Sequence, residues 1–115
     1  MIISQDQVVV FKPQSSIDLQ GGTAFSKQML EVVPQQHQLW VLDMSEVDFM
    51  DSSGLVPLIN GLNYAREHNC RLVLCNVQAP VRLILELTQL DSVFEIFDTY
   101  EDIFTHTNDK NLIVA

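Results

Sequence analysis

Two adjacent hydroxyls, Ser52 and Ser53, sit between an aspartate and a glycine in the run Val47-Asp48-Phe49-Met50-Asp51-Ser52-Ser53-Gly54-Leu55. An apolar run, Leu39-Trp40-Val41-Leu42, comes shortly before it, and an amphipathic stretch over residues 55–66 comes directly after. The spacing predicts a loop that turns into a helix at the serines. Backbone N–H groups lie without intrahelical partners there, and the helix dipole favours negative charge. Two chemistries suit such a place. One is local: Asp or Ser caps the helix and Gly allows the tight turn. The other is acceptance of a phosphate, whose near-double charge a helix N-terminus tolerates. Pro57 disfavours the α conformation at Val56, so the helix is expected to start at Ser53 or Gly54.

The acids Asp43, Glu46, Asp48 and Asp51 raise a second chemistry, Mg²⁺ held at a strand's C-terminal end for phosphoryl transfer to an aspartate, as in a receiver domain. Such a site needs a lysine at a later strand end to stabilise the transferred charge. Residues 94–97 are followed by Asp98-Thr99 instead, and neither Arg71 nor Arg82 is expected in a strand-end loop. His37, His68 and His106 stand apart from one another and suggest neither a triad nor a metal site. Gly21-Gly22 lacks the lysine and spacing of a nucleotide loop. Cys70 and Cys75 flank an expected strand, whose stiffness holds them too far apart for a disulfide. No catalytic residues, metal site or cofactor are therefore expected, and the chain reads as a binding module rather than an enzyme.

The elements that position the serines follow from periodicity. Val8-Val9-Val10-Phe11 reads as a strand, broken by Lys12-Pro13-Gln14-Ser15-Ser16, with Ile17-Asp18-Leu19 as a strand end or loop. Thr23 is a helix cap, Phe25, Met29, Val32 and Val33 face a core, and Pro34 ends that helix. Residues 39–42 are a continuous apolar run, as expected of a strand covered on both faces, and Arg71-Leu72-Val73-Leu74 reads as another buried strand. Leu55, Leu58, Ile59, Leu62 and Ala65 form one helical stripe, and Val81, Ile84, Leu85 and Thr88 another, opened by Ala79-Pro80. Residues 93–97 read as a strand, and Thr99 with Asp102 resembles a capping box. Alternating strands and helices imply crossovers and parallel pairing. The fold class is α/β: a small sheet of four to five mixed strands, parallel at the centre, with about four helices.

The chain of 115 residues suits one domain with a single core. A domain over residues 1–107 and a C-terminal tail over 108–115 are expected. The net charge of −9, from 15 acids against 6 bases, disfavours nucleic acid and anionic membranes and suits a partner with a basic face. No apolar run approaches the roughly 20 residues of a membrane span. No signal peptide is read at the N-terminus, and idle thiols suit a reducing, cytoplasmic setting.

The loop from Asp48 to Leu55 resembles the signature of the bacterial anti-sigma-factor antagonists, single-domain members of the STAS family (sulfate transporter and anti-sigma factor antagonist). The following strand Arg71-Leu72-Val73-Leu74-Cys75, the helix start Ala79-Pro80-Val81-Arg82 and the turn Leu90-Asp91-Ser92-Val93-Phe94-Glu95-Ile96-Phe97 are similar in order, so the resemblance covers most of residues 39–104. It implies a partner switch. The unphosphorylated protein binds an anti-sigma factor that is also a serine kinase; phosphorylation of Ser52 releases it, and a serine phosphatase resets it. It also implies a partner-binding surface of Asp18, Asp48, Met50, Asp51, Ser53 and Gly54, with a weak homodimer open. The chain departs from the family pattern where Ser15-Ser16-Ile17-Asp18 lacks a Gly-Glu pair and where Gly54-Leu55-Val56-Pro57 replaces Gly-Leu-Gly. A STAS scaffold without the phospho-switch is the alternative.

Overall fold

The computed structural model describes residues 8–13, 15–17, 27–32 and 38–109. Strands β1 (Val8–Phe11), β2 (Ser15–Ile17), β3 (Leu39–Asp43) and β4 (Val47–Met50) precede helix α1 (Ser52–Glu67). Strand β5 (Arg71–Cys75), helix α2 (Ala79–Leu87), strand β6 (Glu95–Phe97) and helix α3 (Tyr100–Asp109) complete the order. A further helical turn covers residues 27–30. The sheet order is β1-β3-β5-β6, and every neighbouring pair is parallel. β2 and β4 form a separate parallel pair.

Alternation along the central strands divides the core in two. Trp40, Leu42, Leu72 and Leu74 face one side, where Leu55, Leu58, Leu62 and Ala65 of α1 and Val81 and Leu85 of α2 cover them. Leu39, Val41, Val73 and Cys75 face the other side, covered by Ile103 of α3. With both faces dry, an unbroken apolar run is the sequence such strands need. Trp40 ties the layers together: its ring meets Phe11 at 5.5 Å and Tyr64 of α1 at 5.9 Å between centroids. Its indole N–H is buried and donates to Gln38 Oε1 at 2.9 Å, which meets the hydrogen-bonding need of both groups.

Several elements differ from the sequence expectation. Residues 47–50, read as loop, are β4; Ser15-Ser16, read as part of a break, and Ile17, read as a strand end or loop, make up its partner β2. β4 buries its two ends and exposes Asp48 and Phe49 between them, so it lacks the alternation that marks a strand. The strand expected over 93–97 begins only at Glu95. Gln89 takes a left-handed conformation, and the N–H groups of Val93 and Phe94 both donate to the Leu90 carbonyl, which winds that segment into a tight 3₁₀ turn. α2 does open with its proline in the first turn, and Thr99 Oγ1 does accept from the Asp102 N–H, at 3.1 Å. Met29 is buried and Val32 packs against the core, whereas Asp18, Thr23, Phe25, Val33, Pro34, His37 and the chain beyond Asp109 lie outside the described residues. Among the described residues no helix is long and apolar enough to cross a membrane.

Both cysteines are buried free thiols. Burial, reinforced by the charges of Asp43 and Glu101, pushes the Cys75 thiol up to about 11. Burial likewise raises Tyr100. Folding thus favours the protonated forms. Stability from these groups is complete below their unfolded values and falls as pH rises through them towards the folded ones. Two outcomes follow. At pH 8, Cys75 in the folded protein alkylates at least about a hundredfold more slowly than in urea, as its lower thiolate fraction requires, read by mass spectrometry. Leu58→Ala, which empties a fully buried site between α1 and the sheet, lowers unfolding free energy by about 2–5 kcal/mol in urea titration followed by Trp40 fluorescence.

Candidate functional site

The serine loop is a capped helix start. Asp51 is the N-cap of α1, with extended backbone (φ −113°, ψ −174°). Its Oδ1 accepts from the Ser53 N–H at 3.0 Å and the Gly54 N–H at 3.3 Å. That bonding satisfies two of the helix's orphan donors. Ser53 Oγ also donates to the same oxygen at 2.6 Å. Met50 and Leu55, on either side of the cap, lie in one core cluster, the arrangement of a hydrophobic staple. The helix consequently starts at Ser52, earlier than Pro57 led one to expect. Pro57 removes only the bond to the Ser53 carbonyl, while the aspartate cap and the staple hold the first turn.

The two hydroxyls therefore have different surroundings. Ser52, the first helical residue, is exposed. Ser53 is half-buried and its hydroxyl is bonded to Asp51. Asp48 is exposed on β4, whereas Gly54 is buried under the first turn. Met50, expected on the partner-binding surface, is only 2% exposed. It is a core residue, because the end of β4 must turn its side chain inward to anchor the staple. Asp18 lies outside the described residues, so only the rest of the expected surface has a described place.

The acidic residues near the strand ends have separate occupations. Asp43 accepts from the Asn76 side chain at 3.1 Å and the Ser45 N–H at 3.0 Å. Burial alone would raise its carboxyl, but the hydrogen bonds from Asn76 and Ser45, with the charge of Lys12, outweigh burial and hold it below the ordinary value. Glu46 pairs with Lys12 at 3.3 Å, and Asp51 caps α1. Among the described residues no three His, Cys, Asp or Glu side chains converge on a metal-sized site. Arg71 is spoken for as well, by two hydrogen bonds of 2.8 and 2.6 Å to Glu95.

Sequence reasoning missed the apolar side chains beside Ser52. Phe49 is 51% exposed and Val56 57%. Val56 follows Ser52 by four residues, hence lies on the same helix face one turn on. The signal was present: Val56 falls outside the buried stripe Leu55, Leu58, Leu62 and Ala65, so an apolar residue had to face solvent there. Phe49 carried no such signal, since a loop reading left its direction undefined.

Known proteins share this architecture. The STAS domain family model matches residues 1–103, and the chain belongs to that family. A Thermotoga maritima protein provisionally named an anti-sigma factor antagonist is 26% identical over 98 residues, covering 84% of this chain and 87% of that protein. An anti-sigma F factor antagonist of Paenibacillus polymyxa is 25% identical over 92 residues, covering 79% of each chain. The crystal structure of a sulfate transporter family protein from Wolinella succinogenes superposes with a TM-score of 0.79 at 14% identity, covering 94% of this chain and 89% of the other, a likeness of fold alone.

Asp51→Ala removes the cap bonds and costs about 1 kcal/mol of unfolding free energy. Ser52→Ala, which deletes an exposed hydroxyl, stays within about 0.5 kcal/mol of the wild type. Urea titration of the three proteins checks both values.

Proposed function

We propose that the chain is an anti-sigma factor antagonist controlled by phosphorylation of Ser52. Unphosphorylated, it binds an anti-sigma factor that is also a serine kinase. That kinase transfers the terminal phosphoryl group of ATP to Ser52 Oγ: the new O–P bond forms as the bond to the ADP oxygen breaks, and the hydroxyl proton leaves to a base of the kinase. The phosphorylated protein dissociates, and a serine phosphatase hydrolyses the ester. The chain is here a substrate and binding module of the cytoplasm, with no cofactor of its own, and not an enzyme.

The observation that carries this reading is the asymmetry of the two hydroxyls. A kinase must bring its ATP to an accessible hydroxyl in line with the transferred phosphoryl. Ser52 is exposed at the first position of α1, while Ser53 is half-buried and bonded to Asp51. The names of the Thermotoga and Paenibacillus relatives support the choice of partner. Release follows from charge. A phosphoserine brings nearly two negative charges to a surface that already carries Asp48 and Asp51. The helix N-terminus offsets part of that charge within the fold. A docked partner receives no such compensation.

Incubation with ATP and a purified cognate kinase, followed by peptide mapping in the mass spectrometer, yields one phosphate on Ser52 and loss of kinase binding. Ser52→Ala remains bound, and Ser52→Asp binds weakly. Phosphate on Ser53, or equal kinase affinity of wild type and Ser52→Asp, would count against the proposal.

A further inference from the structure

Ser52 opens α1, and Arg66 stands in the last turn of the same helix, about 20 Å away along its axis. At that far end a cavity of about 230 Å³ lies between the close of α1 and the starts of β5 and β6. Leu62, Cys70 and Leu72 are buried and give it an apolar floor. Val93 is exposed and adds an apolar wall. It stands there because the 3₁₀ turn over Leu90–Ser92 delays β6 until Glu95. Arg66, Arg71 and Glu95 complete the lining. A groove beside Leu30 has no charged lining residue; there a Cβ on Gly61 would stand 2.6 Å from Met29 Cε, so glycine lets the methionine settle against α1. The cavity at Arg66 does carry charge, and the charge selects an occupant.

The three charged residues are not equivalent. Arg71 and Glu95 satisfy each other through two hydrogen bonds of 2.8 and 2.6 Å. Among the described residues no carboxylate pairs with Arg66, on a chain that has 15 acids against 6 bases. The dipole of α1 accounts for a cation in its last turn, but not for the apolar floor beside that cation. The cavity thus combines an apolar interior with one uncompensated positive charge, the lining of a site for an amphiphilic anion. Its volume is below the roughly 300–1,000 Å³ typical of small-molecule sites, so the ligand is small. Glu95 on the same lining repels a second negative charge on the ligand, which favours a carboxylate over a phosphate dianion. A guanidinium matches a carboxylate with two parallel N–H donors.

We infer that this cavity binds a small aliphatic carboxylate, its head on the Arg66 guanidinium and its apolar body over Leu62, Leu72 and Val93. The site is separate from the phosphoacceptor, since the serine loop contributes none of its lining. It stands or falls independently of the proposed phospho-switch.

The test titrates hexanoate into the full chain, with calorimetry for affinity and backbone amide NMR shifts for location. Hexanoate binds at millimolar concentration or below, shifts the amides of Arg66, Cys70, Arg71 and Val93, and leaves that of Ser52 in place. Hexanol has the same apolar body without the charge, and acetate the head without the body; each binds about tenfold or more weakly. Hexyl phosphate also binds more weakly than hexanoate. Arg66→Gln changes an exposed side chain and keeps the wild-type circular dichroism. It lowers hexanoate affinity about tenfold and leaves hexanol affinity unchanged. Val93→Gln weakens both probes, whereas Leu87→Gln, at an exposed leucine outside the cavity, weakens neither. Equal affinity for hexanoate and hexanol, or full hexanoate affinity in Arg66→Gln, would overturn the anion site. Tighter binding of hexyl phosphate, equally dependent on Arg66, would overturn the carboxylate in favour of a phosphate ester. Hexanoate that does not bind, or whose shifts fall elsewhere on the chain, would overturn the site altogether.

Discussion

Strands β3 and β5 have almost no face left for water. Leu39, Val41, Val73 and Cys75 are buried on one side, and Trp40, Leu42, Leu72 and Leu74 on the other. Two dry faces require helices above and below, and parallel strands require a crossover between each pair. α1 is such a crossover, from β3 through β4 to β5. It must therefore begin near the carboxyl end of the sheet, with its first N–H groups at the surface. The position of Ser52 descends from that requirement: the burial of the sheet sets where the helix starts, and the start of the helix sets where a hydroxyl meets solvent.

Within that frame one carboxylate decides which hydroxyl is available. Asp51 Oδ1 receives the N–H groups of Ser53 and Gly54 and the hydroxyl of Ser53. One side chain thus ends the strand-to-helix turn, satisfies the helix terminus and removes Ser53 from the surface chemistry. Ser52, one residue earlier, contributes nothing to the cap and is exposed. A phosphate on Ser52, as proposed, would leave the cap bonds in place and so separate regulation from folding. The same division runs through the neighbouring acids. Asp43 is held by Asn76 and Ser45, and Glu46 by Lys12. Asp48 alone of the group is simply exposed on its strand.

Much of this was legible in the residues. The apolar runs at 39–42 and 72–74, the stripe through Leu55, Leu58, Leu62 and Ala65, the proline opening α2 and the Thr99 cap are local patterns with local causes, and they appear where expected. β2 and β4 were not legible. Each is short, neither alternates, and each exists because the other pairs with it across a long separation in sequence. The inward turn of Met50 had the same origin. A methionine beside a solvent-facing loop reads as surface, yet the staple against Leu55 and the core beneath it turn it inward.

The sequence by itself determined the class of fold and the placement of a serine pair at a helix entrance, because apolar periodicity and capping chemistry act over a few residues. Only the tertiary structure decided that Ser52 is open while Ser53 is engaged, that Met50 is core, and that Met29 settles over Gly61 to leave a groove beside Leu30. Those outcomes depend on which distant segments come to lie against one another. Burial on two faces and the close approach of Met29 to Gly61 are properties of packing, which no stretch of residues possesses alone.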